Sequence, residues 1–323
     1  MITLYDTTGS CLSKRDNTTN IRPETVWIDL LDPTPAEEVE VEHILKLDVP
    51  TRDEMREIEA SNRFYHENGA HFMTSFVIYA KDSETASTSN VTFILTGQRL
   101  VTVRYGEPKA FPLFADKACK GDLPCATGPY IMAGLLEMIV QRQADLIERV
   151  QDEVEKLAPQ IFDLNGSGRN RGKRLEVILK TIGKEGDIVS RAQESATSIH
   201  RTLHFFADAA RERGEDPRLI SRIEVVSRDI NSLTDSLRSM SGRTSFLLDA
   251  TLGMISTEQN QIIKLFSVMS VMLMPPTLVA SIYGMNFKLM PELDWHLGYP
   301  FALALMFISA LIPFIYFRRK GWL

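Results

Sequence analysis

The sequence predicts an α+β soluble region that continues through long helices into two membrane-spanning helices at the C-terminus. Three observations carry this. Short runs of β-branched and aromatic residues, separated by turn signals, fill residues 1–128. From Pro129 the apolar spacing becomes helical and stays so over long stretches. Near the end lie two uncharged apolar stretches, Leu265 to Ile282 with 18 residues and Tyr299 to Phe317 with 19.

In residues 1–128, Val26 to Leu30 reads as a strand. Thr51 and Glu54 form a capping box expected to open a helix through Glu59. His71 to Tyr79 is a second strand, and Val91 to Leu95 and Arg99 to Arg104 flank Thr96-Gly97-Gln98 as a hairpin. A long helix is expected from Pro129, well placed in a first turn, to Leu164. A loop with Gly166, Gly168 and Gly172 follows, without the pattern of a phosphate-binding loop. A second helix covers Lys173 to Arg213. The third starts at Pro217 and meets only Gly242 and Gly253, each costing a helix about 1 kcal/mol. Pro217 to Tyr283 therefore reads as one helix, about 100 Å long at 1.5 Å per residue. The expected organisation is an α/β domain at 1–128, antiparallel long helices at 129–216, and a stalk at 217–286 that contains the first span at 262–283. A loop at 287–298, the second span at 299–317 and a basic tail at 318–323 complete it.

Each apolar stretch approaches the ~30 Å hydrocarbon core of a bilayer. Lys264 precedes the first span, and Arg318, Arg319 and Lys320 follow the second. The connecting loop sets Lys288 against Glu292 and Asp294. The positive-inside rule then places the N- and C-termini in the cytoplasm and the loop outside. Trp295, Tyr299, Tyr316 and Trp322 sit where interfacial aromatics belong. Met1 to Asn20 lacks the apolar core of a secretory signal. Of 323 residues only three are cysteines, Cys11, Cys119 and Cys125, without paired ligand spacing, which suits thiols in a reducing compartment. A net charge of -6 argues against a nucleic-acid partner and favours attraction of cations.

The polar residues of the first span are ordered. Asn260, Ile263, Ser267, Ser270, Met274, Thr277, Ser281 and Gly284 follow alternating steps of three and four, the seam of left-handed helix packing. Continued backwards, the seam passes through Ser256, Gly253, Asp249 and Phe246. Small and hydroxyl residues also mark dry helix–helix interfaces, so the stripe alone fits a pore or a packing face. Asp249 tips the balance toward a pore, because a ring of carboxylates at a mouth concentrates cations. Two helices cannot enclose a channel, so several subunits must surround an axis.

At the end of that span the sequence reads Tyr283-Gly284-Met285-Asn286-Phe287, then Met290-Pro291-Glu292-Leu293. This resembles the CorA family of divalent-cation channels, whose signature is Gly-Met-Asn at the end of the first of two C-terminal spans, commonly followed by Met-Pro-Glu-Leu. The plan of the whole chain matches as well. The resemblance implies a homopentamer with a cytosolic funnel, first spans lining the pore, and residence in the cytoplasmic membrane. It implies passive uptake of Mg²⁺, with Co²⁺ and Ni²⁺ as further cargo, through a filter at Gly284, Met285 and Asn286. Thr277, Met274 and Asn260 match pore-lining positions, and Asp249 matches an acidic position near the cytoplasmic mouth. Ile263 stands where the family commonly has methionine. The family also senses cytosolic Mg²⁺ through acidic residues between soluble domains. For that role the chain offers Asp82 and Glu84 in a loop and Glu224 and Asp229 on the stalk, against the alternative of ordinary solvated carboxylates.

His200 and His204 are four apart, a helical spacing that suits zinc, but no third ligand accompanies them. No nucleophile elbow, nucleotide loop or metalloprotease helix is present in the sequence, so neither an enzyme nor an organic cofactor is expected. The rival transport reading is a zinc-selective protein of the ZntB type, against which Met290-Pro291-Glu292-Leu293 speaks. The rival from another class is a signalling anchor whose spans only dimerise.

Overall fold

The computed structural model describes residues 1–8, 11–16, 20–57, 59–80, 86–121, 123–162, 168–285, 291 and 295–322. They form two compact units. One combines Met1–Gln160 with Lys180–Leu247, the other Ile161–Leu179 with Leu248–Leu323.

The first unit holds a seven-stranded sheet: β1 (Ile2–Thr7), β2 (Leu12–Asp16), β3 (Thr25–Leu31), β4 (Phe64–Glu67), β5 (Ala70–Ala80), β6 (Ala86–Thr96) and β7 (Arg99–Arg104). The order is β2-β1-β3-β7-β6-β5-β4. β3 and β7 pair parallel, with Asp29 opposite Thr102, and the other pairings are antiparallel. The β6–β7 turn has Gly97 at φ 53, the left-handed position a two-residue hairpin needs. The β4–β5 turn is Asn68-Gly69, both left-handed at φ 49 and 76.

Alternation along β3 sends Ile28 and Leu30 to one face and Trp27 and Asp29 to the other. On the first face, Ile28, Leu30, Phe72, Ile94 and Val101 pack against Val41 of α1 (Pro35–Leu45) and against Met55. α1 opens on Thr34, whose hydroxyl accepts from the Glu37 amide while Glu37 accepts from the Thr34 amide. On the opposite face, Trp27 stacks on Tyr5 at 4.2 Å and meets Phe114 of α3 (Ala110–Cys119) edge-on at 5.8 Å. A buried polar chain runs through this face. Trp27 Nε1 donates to Thr102, Thr102 donates to Asp29, and Arg104 grips both Asp29 oxygens.

The helix expected from Thr51 to Glu59 is not formed. Its capping box is present, with Glu54 accepting from the Thr51 amide at 2.8 Å, but only one 3-10 turn, Glu54–Arg56, follows. The Met55 carbonyl, which helix continuation would use, is instead taken by the Asn90 side chain, and Glu57 turns extended. A short helix, α2 (Ala60–Arg63), precedes β4.

Three long helices follow: α4 (Gly128–Phe162), α5 (Gly168–Glu212) and α6 (Pro217–Tyr283). Gly214, two residues past the end of α5, takes the left-handed conformation at φ 67. Asp216 then opens α6, accepting from the Arg218 amide and the Tyr130 hydroxyl. These bonds hold its carboxyl below the usual carboxylate range. Pro217 occupies the first helical position, where its missing N–H costs nothing. Within the first unit, α4 meets α6 through Glu137–Arg222 at 2.6 Å and Glu155–Arg243 at 3.2 Å.

α5 also meets the sheet through hydroxyl groups. Ser198 accepts from the Phe76 amide at 2.9 Å, and Ser195 accepts from the Ile78 amide at 3.0 Å. β4 pairs with β5 only from Ala70 to Met73, so these serines satisfy N–H groups along the edge beyond it.

The second unit carries α7 (Gly298–Arg319) and the part of α6 from Leu248 onward. Both helices are long and apolar enough to cross a membrane.

Candidate ion path along the first span

The first span is the last part of α6. Apolar residues drive it into a helix of membrane length, and its hydroxyls occur only on the seam. The seam lies on an uncovered side. Asp249, Asn260, Ser267, Ser270, Thr277, Ser281 and Gly284 are all exposed, as are Ile263 (60%) and Met274 (67%). The covered side is another one, led by Val268 at 1% exposure, with Met272, Pro275, Pro276, Val279 and Tyr283 half-buried.

Two of the hydroxyls are oriented by their own helix. Ser270 donates to the Phe266 carbonyl at 2.9 Å, and Thr277 donates to those of Leu273 and Met274 at 3.0 and 2.8 Å. A hydroxyl whose proton is engaged this way keeps oxygen lone pairs to offer. Such a face presents acceptors, which suits the water shell of a cation.

Two features of the span escaped sequence reasoning. Pro275 and Pro276 stand inside the helix, so the carbonyls of Val271 and Met272 lose their usual helical donors. The adjacent prolines were themselves the signal. The second is the Lys264 ammonium lying 5.8 Å from the Trp322 ring centre, which brings the start of the first span and the end of the second together. That end is basic through Arg318, Arg319 and Lys320.

The span closes on Gly284, whose amide donates to Ala280 O at 2.9 Å, and on exposed Met285. Asn286, Glu292 and Asp294 lie outside the described residues, as do Asp82 and Glu84. Glu224 and Asp229 sit exposed on α6, and Glu224 accepts from Arg211 of α5 at 3.1 Å. His200 is half-buried, and exposed His204 has its Nδ1 3.2 Å from Asp208. Among the described residues no group of three or more His, Cys, Asp or Glu side chains could hold a metal ion. Cys125 is buried, which pushes its thiol up to about 11, Cys11 is half-buried and Cys119 is exposed.

An α+β unit, long helices and two apolar C-terminal helices of spanning length fit the class of multi-pass membrane proteins. Its sequence matches the family model for CorA-like Mg²⁺ transporter protein over residues 23–319. The chain belongs to the CorA family of Mg²⁺ and divalent-cation transport channels, and so to a family of transporters rather than of enzymes. It is 36% identical over 299 residues to the magnesium transport protein CorA of Yersinia pseudotuberculosis, a match covering 93% of this chain and 92% of that one. In fold it is similar to the CorA magnesium transporter of Methanocaldococcus jannaschii, with TM-score 0.69 and 17% identity. That likeness covers 100% of this chain and 99% of the other. The ZntB cytoplasmic domain of Vibrio parahaemolyticus shares the fold over 78% of this chain and 96% of its own, with TM-score 0.55 and 9% identity.

Proposed function

We propose that the chain assembles as a homopentamer in the cytoplasmic membrane and conducts Mg²⁺ passively inward, with both termini in the cytoplasm. The uncovered, hydroxyl-bearing seam of α6, leading to Gly284, Met285 and Asn286, carries this reading. Asn260, Ile263, Ser267, Ser270, Met274, Thr277 and Ser281 line the path in this proposal. Asp249 concentrates cations at the inner mouth, and Glu292 and Asp294 do so outside.

Asn286 is assigned the filter on chemical grounds. Mg²⁺ sheds its water reluctantly. An amide oxygen can accept hydrogen bonds from that water, whereas a carboxylate ring would bind the ion strongly and risk retaining it. At 100 mV, inside negative, a divalent ion gains about 4.6 kcal/mol on entry, so no coupled energy source is needed. Co²⁺ and Ni²⁺ are secondary cargo. Cytosolic Mg²⁺ bound by Asp82, Glu84, Glu224 and Asp229 closes the channel. The Met290-Pro291-Glu292-Leu293 loop favours Mg²⁺ over a zinc-selective role of the ZntB type.

The test is uptake of Mg²⁺, Co²⁺, Ni²⁺ and Zn²⁺ into liposomes holding purified protein, with Asn286→Ala beside the wild type. Mg²⁺ entry that nearly vanishes in the assembled variant is the expected result. Wild-type flux through Asn286→Ala removes that residue from the filter, and preferred Zn²⁺ entry replaces the magnesium reading.

A further inference from the structure

We propose that Lys264, Arg318, Arg319 and Lys320 form a seat for the headgroup of an anionic phospholipid whose acyl chains lie along the exposed apolar side of α7. The seat lies wholly in the second unit, and the ion path along the seam does not use it.

The chain turns back where α7 ends. The Lys320 amide donates to Tyr316 O at 3.1 Å and the Trp322 amide to Phe317 O at 3.0 Å, with Gly321 left-handed at φ 69. This turn stacks Trp322 on Phe317, with ring centres 5.4 Å apart, and sets the Trp322 ring 5.8 Å from the Lys264 ammonium. The Lys320 ammonium lies 5.3 Å from the Tyr316 ring centre. Lys264, at the start of the first span, is thereby drawn to the basic end of the second.

This corner carries positive charge without its counterpart. From Gln259 to Trp322 the only acidic residues are Glu292 and Asp294, in the segment that joins the two spans at their other end. All four cations are exposed, and among the described residues none of them pairs with a carboxylate. The two aromatic rings orient ammonium groups without neutralising them. Phosphate is the anion such a cluster fits, and the surface beside it names the source. Ile308, Leu311, Ile312 and Ile315 are exposed at steps of three, one and three, so they share one face of α7. Three and four residues beyond Ile315 that face reaches Arg318 and Arg319. The strip is about 10 Å long at 1.5 Å per residue, the length of an upper acyl segment. A free phosphate ion has no use for it, whereas a lipid supplies both the phosphate and the chains. A zwitterionic headgroup brings its own cation, so the cluster favours headgroups with net negative charge.

The experiment uses the full-length chain in detergent micelles, in a Trp295→Phe background. Trp27 is buried within the sheet, so Trp322 is then the one tryptophan that lipid reaches. Phosphatidylglycerol or phosphatidylcholine brominated near the top of the acyl chains is added, and quenching of tryptophan fluorescence is read. Half-maximal quenching is expected at a mole fraction at least about fivefold lower for phosphatidylglycerol. The combined variant Lys264→Gln, Arg318→Gln, Arg319→Gln, Lys320→Gln is expected to lose that preference, and Arg318→Lys, Arg319→Lys to keep it. Equal curves for the two lipids in the wild type, or an unchanged preference in the glutamine variant, overturn the seat. Relief of the quenching by inorganic phosphate at constant ionic strength makes this a free-phosphate site and equally overturns the proposal.

Discussion

Arg104 holds both carboxylate oxygens of Asp29, with Nε 3.0 Å from Oδ1 and Nη2 2.7 Å from Oδ2, at the parallel junction of β3 and β7. Both residues are buried, and the guanidinium also lies 4.6 Å from the Phe111 ring centre. The pair thus fastens two strands and a helix at once. Removing one charge leaves the other buried without its partner. Asp29→Ala and Arg104→Ala are each expected to cost about 3–5 kcal/mol of stability. Thermal unfolding of the purified chain measures this. A combined Asp29→Leu, Arg104→Met variant is expected to be more stable than either alanine variant. Single variants that melt with the wild type would show that the fork contributes little.

For the seam, the prediction concerns water. In a background lacking Cys11, Cys119 and Cys125, single cysteines at Ser267, Ser270, Met274 and Thr277 are expected to react readily with a small charged thiol reagent. Cysteines at Val268, Val271 and Leu278 are expected to react slowly. Val268 is covered within the chain, and the other two project off the seam. Equal labelling of the two sets would mean the seam is a packing face.

Regulation by internal Mg²⁺ requires the ion to bind the closed assembly better than the open one. Carboxylates gathered between subunits repel, and a cation relieves that repulsion. The combined variant Asp82→Asn, Glu84→Gln, Glu224→Gln, Asp229→Asn is expected to lose most inhibition by internal Mg²⁺ while keeping the wild-type ion preference. Patch recordings at controlled internal Mg²⁺ decide it, and unchanged inhibition clears these residues of the role.

Glu185 on α5 supplies a pH prediction. It is 7% exposed, and burial raises its carboxyl above the ordinary glutamate value, aided by Glu153 and opposed by Lys184 and Arg149. In the window between the ordinary and the raised value, the folded chain binds more protons than the unfolded one. Stability therefore falls as pH rises through that window. Glu185→Gln is expected to melt above the wild type at neutral pH, with the gain shrinking as pH falls toward the ordinary glutamate value. A gain that grows on acidification would reverse the sign.

Long helical runs were the most legible part of the chain. Pro217–Tyr283 was readable because it starts at Pro217 and no stop signal interrupts it before the membrane. The seam was readable because steps of three and four are visible without coordinates. Which side of the span is covered was not, since that depends on its partners within the fold. The Thr51 box was read as a helix because local propensity cannot reveal that Asn90, a residue of β6, takes the Met55 carbonyl. Other signals were present and went unread. Thr34-Pro35-Ala36-Glu37 is a capping box for α1, and Asn68-Gly69 is a strong short hairpin signal. β1 is buried along nearly its whole length, so no alternation marks it, and β2 is mostly exposed.

The serines that seal β5 have a consequence for synthesis. Ser195 lies 117 residues after its partner Ile78, and Ser198 lies 122 after Phe76. A ribosome adding about 5–20 residues per second needs roughly 6–23 seconds to cross the shorter gap. Throughout that interval the β5 margin has emerged without the helix that will close it, and an open strand margin recruits strands from other chains. Neighbouring nascent chains on one messenger, at different lengths within that window, expose the same margin. The chain is therefore most prone to aggregate before α5 is made, and truncation ahead of Ser195 turns that passing exposure into a permanent one.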